Sequence, residues 1–120
     1  MRSVLVVAHG SRVKETEESF TSILDMVKQK LPDHMIEPCY MQLADQTLEL
    51  SVASLVDRGA TEIRIVPYFL FTGVHIKKDI PQMIAGFQEQ YPNVEISLGQ
   101  ALGVDERLAD ILVDRIVGAS

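Results

Sequence analysis

The sequence predicts an α/β fold, a three-layer α/β/α sandwich built on a four-stranded parallel sheet. Two patterns carry that expectation. Four short apolar runs of strand length alternate with four segments whose apolar residues recur at three- and four-residue spacing. The first run, Ser3 to Ala8, is continuously apolar after its serine, as happens where helices cover both faces of a parallel sheet. At 120 residues the chain has the length of one hydrophobic core, so residues 1–120 read as a single domain.

Each element has its own signal. After Ser3 to Ala8, the segment His9-Gly10-Ser11-Arg12 breaks the strand. From Lys14 to Leu31, Phe20, Ile23, Leu24, Val27 and Leu31 make an apolar stripe, Glu15, Glu17 and Glu18 form a solvated face near the positive end of the helix dipole, and Pro32 ends the helix. Met35 to Met41 reads as a second strand, placed at an edge because Pro38 cannot donate to a ladder. Leu48, Val52, Leu55 and Val56 define a second helix, with Asp45 or Thr47 as its cap and Gly59 at its end. Glu62 to Phe71 is the third strand, with Pro67 inside it. Asp79 is expected to cap the third helix, with Pro81 in the first turn and Gln82 completing a capping box. Ile80, Met83, Ile84, Phe87 and Tyr91 form its stripe. Val94 to Leu98 is the fourth strand, and Leu108, Ile111, Leu112 and Ile116 carry a last helix capped by Asp105. Met26, Met35, Met41 and Met83 are expected in or near the core.

Composition narrows the function. Hydrophobic residues make up 47% of the chain, with charges interspersed, which is the composition of a folded protein. The longest apolar stretches are too short to cross a bilayer, and Met1-Arg2-Ser3 leads directly into a strand without a signal peptide. The single cysteine, Cys39, can form no internal disulfide and reads as a buried thiol in a reducing, cytoplasmic setting. A net charge of −6 disfavours nucleic acid and anionic membranes as partners.

Right-handed crossovers give the strand order 2-1-3-4, in which strands 1 and 3 are neighbours whose chains leave in opposite directions. Open α/β sheets bind ligands in the crevice at the carboxyl ends of such strands. His9 follows strand 1 and His75 follows strand 3, so two of the three histidines fall on that rim. His34 lies in a turn away from it. Imidazole is largely neutral near pH 7, accepts a proton and ligates first-row divalent metals. Two imidazoles underfill a structural metal site, and weak ligation suits an ion in transit. Gly10 and Gly73 beside them allow close backbone approach to a large flat ligand. Arg12, Lys77 and Lys78 bring positive charge to the same rim of an acidic protein, which suits a ligand bearing several carboxylates.

Val6-Val7-Ala8-His9-Gly10-Ser11-Arg12, together with Val66-Pro67-Tyr68-Phe69-Leu70-Phe71-Thr72-Gly73-Val74-His75-Ile76-Lys77-Lys78-Asp79-Ile80-Pro81, resembles the small CbiX/SirB-type sirohydrochlorin chelatases of the class II chelatase superfamily. Leu102-Gly103 is a weaker echo. The resemblance implies that His9 and His75 bind the metal and accept pyrrole protons. It implies insertion of cobalt, nickel or iron, as substrate, into a tetrapyrrole carrying eight carboxylates, with no organic cofactor. Gly10, Ser11, Arg12, Gln42, Phe69, Leu70, Phe71, Gly73, Lys77 and Lys78 become the expected substrate contacts, with Met41 nearby. Relatives often carry glutamate where this chain has Gln42, which removes a metal-attracting carboxylate, and the histidine-rich stretches of some relatives are absent. Long relatives hold two such domains, so a half-size chain is expected to work as a homodimer. The rival readings are a non-catalytic carrier of tetrapyrrole or metal, and a phosphate-handling enzyme with His9 as nucleophile, for which no second phosphate motif is present.

Overall fold

The computed structural model describes residues 2–42, 44–71 and 73–118; the side chains of Val74, His75 and Ile76 also lie outside the described set. Four strands and four helices alternate as β1 (Arg2–Ala8), α1 (Lys14–Lys30), β2 (His34–Tyr40), α2 (Leu48–Asp57), β3 (Glu62–Pro67), α3 (Val74–Gln90), β4 (Glu95–Leu98) and α4 (Glu106–Ile116). The strands form one parallel sheet in the order β2-β1-β3-β4. Pro38 sits in edge strand β2 opposite Val6, where its missing N–H interrupts the fewest ladder bonds.

Alternation along β1 divides the core in two. Leu5 and Val7 join Cys39, Ile63, Ile65 and Ile96 beneath α2 and α3, which contribute Leu48, Val52, Leu55, Ile80 and Phe87. Val6 joins Ile36 and Tyr40 beneath Phe20 and Leu24 of α1. Burying one such aliphatic or aromatic side chain contributes about 1.5–3 kcal/mol, so the sheet is held chiefly through these two faces. Helix α4 differs. None of its residues is buried, and Ile111, Leu112, Val113 and Ile116 are all exposed. The radius of gyration, 15.3 Å, accordingly exceeds the roughly 13.6 Å expected for a compact chain of this length.

Three expectations are corrected. Strand β3 ends at Pro67 rather than Phe71. Beyond Tyr68, whose N–H donates to the Val7 carbonyl at 2.7 Å, there is no strand left to pair with, because β1 has turned away at His9 and β4 ends opposite Ile65. Helix α3 begins at Val74 with Gly73 at its N-cap, so Asp79 is its sixth residue and not its cap, and Pro81 lies in the helix interior. Once a helix is nucleated each further residue adds a backbone bond, as Lys77 N–H does to the Gly73 carbonyl at 3.0 Å; Pro81 deprives only the carbonyl four residues back. Met26 lies off the buried line of α1 and is exposed, whereas Met35, Met41 and Met83 pack against the core. Thr47 and Asp105 do cap α2 and α4, through acceptance from the N–H groups of Leu50 and Arg107.

Candidate functional site

The carboxyl end of β1 is held by backbone. Met41 N–H donates to the Ala8 carbonyl at 2.9 Å and Gln42 N–H to the His9 carbonyl at 3.1 Å, which extends the pairing with β2 past the end of both strands. Gly10 then turns away at φ +100°, and a Cβ there would stand 1.8 Å from the Gln42 carbonyl oxygen. Only glycine fits, because both the dihedral and the space exclude a side chain. Ser11 Oγ accepts from Val13 N–H at 3.0 Å and shapes the entry to α1. The sequence reading anticipated Gly10 as a point of close approach; the approaching group is the protein's own β2–α2 loop.

His9 is thereby fixed by its main chain, while its side chain is exposed. The imidazole meets the buried Phe69 ring edge-on, with centroids 4.2 Å apart and planes at 63°. Beside it lies a cavity of about 110 Å³ lined by Ala8, His9, Gly10, Ser11, Thr16, Glu17, Phe20, Tyr40 and Ala44. That volume suits a few water molecules and not a macrocycle, each water occupying about 30 Å³. Tyr40 has its phenol pushed above the ordinary range by burial and then by the Glu17 carboxylate, so it stays a neutral hydroxyl.

The carboxyl end of β3 is built differently. Phe69 is buried, but Leu70 and Phe71 turn outward, Phe71 with 74% of its surface exposed. Leu102 N–H donates to the Phe69 carbonyl at 3.0 Å and Gly103 N–H to the Leu70 carbonyl at 2.8 Å, so the β4–α4 loop braces this one. Gly73 has an ordinary φ of −82°, and a Cβ there would meet nothing within 4 Å. His75 stands in the first turn of α3; its side chain lies outside the described residues. Lys77 and Lys78 follow on α3 and are exposed, as is Arg12 in the β1–α1 loop.

The structure thus brings His9, Gly10, Gln42 and Phe69 into direct contact or hydrogen bonding, while Arg12 and Lys78 share the rim without a described contact to them. Lys77 lines a separate cavity of about 470 Å³ with Pro67, Ile80, Pro81, Leu98, Gly99, Gln100, Ala101 and Gly103. Among the described residues no three histidine, cysteine or acidic side chains cluster as a metal cage. Cys39 is fully buried beside Val7, its thiol pushed up to about 12 by burial and by the nearby Glu49 and Glu37 charges, so it rests as a neutral thiol. Sequence reasoning missed Glu17, Tyr40 and Gln100 as lining residues. Glu17 lies eight positions after His9 and is exposed, in keeping with a solvated face, yet it also borders this cavity; Phe20, three residues on and buried, is the signal in the sequence that this turn faces the β1 exit.

Residues 3–119 match the family model CbiX. The sirohydrochlorin ferrochelatase of Priestia megaterium is 44% identical over 116 residues, which cover 97% of this chain and 44% of that protein. The sirohydrochlorin cobaltochelatase of Methanosarcina acetivorans is 32% identical over 120 residues, covering 94% of this chain and 92% of that protein. The crystal structure of the sirohydrochlorin chelatase SirB from Bacillus subtilis subspecies spizizenii, in complex with cobalt, superposes with a TM-score of 0.85 at 34% identity, over 97% of this chain and 50% of that one. The chain therefore spans less than half the length of the Priestia relative and nearly all of the Methanosarcina one.

Proposed function

The chain belongs to the CbiX family, and on that premise we propose that it is a sirohydrochlorin chelatase, inserting cobalt or iron, with nickel as a further substrate, into the macrocycle. The observation that carries the proposal is the His9 imidazole: exposed at the carboxyl end of a central strand, braced on Phe69, and held by a main chain that cannot shift without breaking the Gly10–Gln42 contact. The metal is a substrate in transit, which an underfilled ligand set suits. His9 and His75 are its ligands and proton acceptors: two pyrrole N–H protons leave as the ion enters, and imidazole is basic enough near pH 7 to take them, a contribution of about 10²–10⁴-fold. Gly10, Ser11, Gln42, Phe69, Leu70, Phe71 and Gly73 form the floor for the ring, and Arg12, Lys77 and Lys78 answer its carboxylates. No organic cofactor is required.

The active unit is the single domain of residues 1–120 paired as a homodimer. Leu102, Val104 and the α4 residues Ile111, Leu112, Val113 and Ile116 are exposed, apolar surface of the kind that a second copy can cover. Leu112→Glu combined with Ile116→Glu is expected to convert the dimer to a folded monomer in light scattering; a dimer that survives both changes removes α4 from the interface. No described helix is long and apolar enough to cross a membrane, and a cytoplasmic setting accords with the free, buried Cys39.

Metal insertion is followed by the absorbance change of metal-free sirohydrochlorin with cobalt, ferrous or nickel ion, against the uncatalysed rate. The wild type is expected to accelerate insertion and the double variant His9→Ala, His75→Ala to lose that acceleration. Tight tetrapyrrole binding without acceleration would identify a carrier instead.

A further inference from the structure

The cavity beside His9 cannot hold a macrocycle, yet a larger one opens two strands away. Its walls are Pro67 at the end of β3, Ile80 and Pro81 of α3, and Leu98 and Ala101 at the end of β4; its polar groups are Lys77 and Gln100. Among the described residues neither of these two side chains has a hydrogen-bond or ion-pair partner, so both are available to a ligand. The cavity thus joins an apolar wall to a cation and an amide, a combination that fits a carboxylate on a short aliphatic stem: methylene groups against proline, isoleucine and leucine, the carboxylate on the ammonium and the amide N–H.

Position supports the same occupant. From β1, where His9 stands, to β4 is two strand spacings, about 10 Å, the same order as the radius of a tetrapyrrole with its acidic arms. A ring centred over His9 and extending toward β4 would bring one edge to this cavity of about 470 Å³.

Resting on the chelatase reading, we propose that the cavity between α3 and the β4–α4 loop is the seat of one edge of the macrocycle, with Lys77 and Gln100 gripping an acidic arm. Gln100 is a specificity-determining residue on this account. The grip orients the ring in its own plane, so that a ring with its arms neutralised loses what the cavity contributes.

The test is titration of the holo-length protein with metal-free sirohydrochlorin, read by the ligand's own fluorescence, with no metal present. Lys77→Gln is expected to weaken binding about tenfold and Gln100→Leu about threefold, with Lys77→Arg restoring most of the affinity because it keeps the charge. Lys28→Gln, remote on α1, controls for the loss of one positive charge. Against the fully esterified macrocycle the difference between wild type and Lys77→Gln should vanish. Both variants binding sirohydrochlorin within twofold of wild type, or a Lys77→Gln deficit that persists with the ester, overturns the proposal. A wild type that binds the ring and loses affinity in these variants, but never accelerates insertion, instead overturns the chelatase reading and leaves the cavity assignment standing.

Discussion

The two central strands, β1 and β3, leave the sheet by different means. At β1 the main chain is locked: two hydrogen bonds to the residues after β2 and a left-handed Gly10 pressed on the Gln42 carbonyl allow no side chain and little movement. At β3 the strand partners run out after Tyr68 and the β4–α4 loop takes over, Leu102 and Gly103 donating to the Phe69 and Leu70 carbonyls; Leu70 and Phe71 face outward, and Gly73 has an ordinary dihedral with open space beside it. The locked exit carries His9, its ring set edge-on against Phe69. The open exit carries exposed apolar groups that a ligand or a second copy can cover. The difference lies in the glycines: the one at the β1 exit admits no side chain, and the one at the β3 exit has room for one.

That contrast is most sharply broken at the glycines. Gly10→Ala forces a Cβ into the Gln42 carbonyl at a positive φ and should destabilise the fold by about 3 kcal/mol or more, read by denaturant unfolding. Gly73→Ser should stay within about 1 kcal/mol of wild type, because serine is a good N-cap and meets no atom. Equal effects at the two positions would erase the distinction. Phe69→Leu is next in size: it keeps the core filled but removes the ring edge that braces His9, so a loss of about 1–1.5 kcal/mol should accompany a fall in insertion rate larger than the stability change explains. An unchanged rate would show that the main chain alone positions His9.

The effect confined to alkaline pH concerns Cys39, paired with Val7 just before the β1 exit. Its folded thiol is pushed up to about 12, so as pH rises above the ordinary thiol value near 9 the unfolded chain gives up its proton first. Stability is therefore fully present below about 8.5–9 and declines toward pH 12, by up to about 1.4 kcal/mol per pH unit over that window. Cys39→Val should flatten that slope when unfolding is compared at pH 8 and pH 10. An identical slope in both proteins would mean that other groups set the alkaline limit.

Much of this was legible in the chain. Strand order followed from alternation and crossover handedness, and His9 could be placed on the ligand rim because strand 1 ends abruptly in His9-Gly10. The third helix was harder. Pro81 and the Asp79–Gln82 spacing form a good local start signal, yet the helix extends upstream of it to Val74, which moves His75, Lys77 and Lys78 from a loop onto a helix. A proline signal marks a helix start only by local preference, and here the backbone bonds begin one turn earlier, with Lys77 N–H on the Gly73 carbonyl. The end of β3 was misjudged for a related reason: Tyr68 to Phe71 look like strand, but a strand needs neighbours, and a single segment does not record where its neighbours stop.

By itself the sequence determined the α/β class, the sheet order, the apolar faces and the rim on which His9 stands, because those depend on periodicity and chirality that act along the chain. Only the tertiary structure decided that Gly10 closes on Gln42, that Phe69 braces His9, that Glu17 and Tyr40 border the same cavity, and that Lys77 and Gln100 line another. These are contacts between segments far apart in sequence, set by how close two backbones come, and no local pattern encodes that distance.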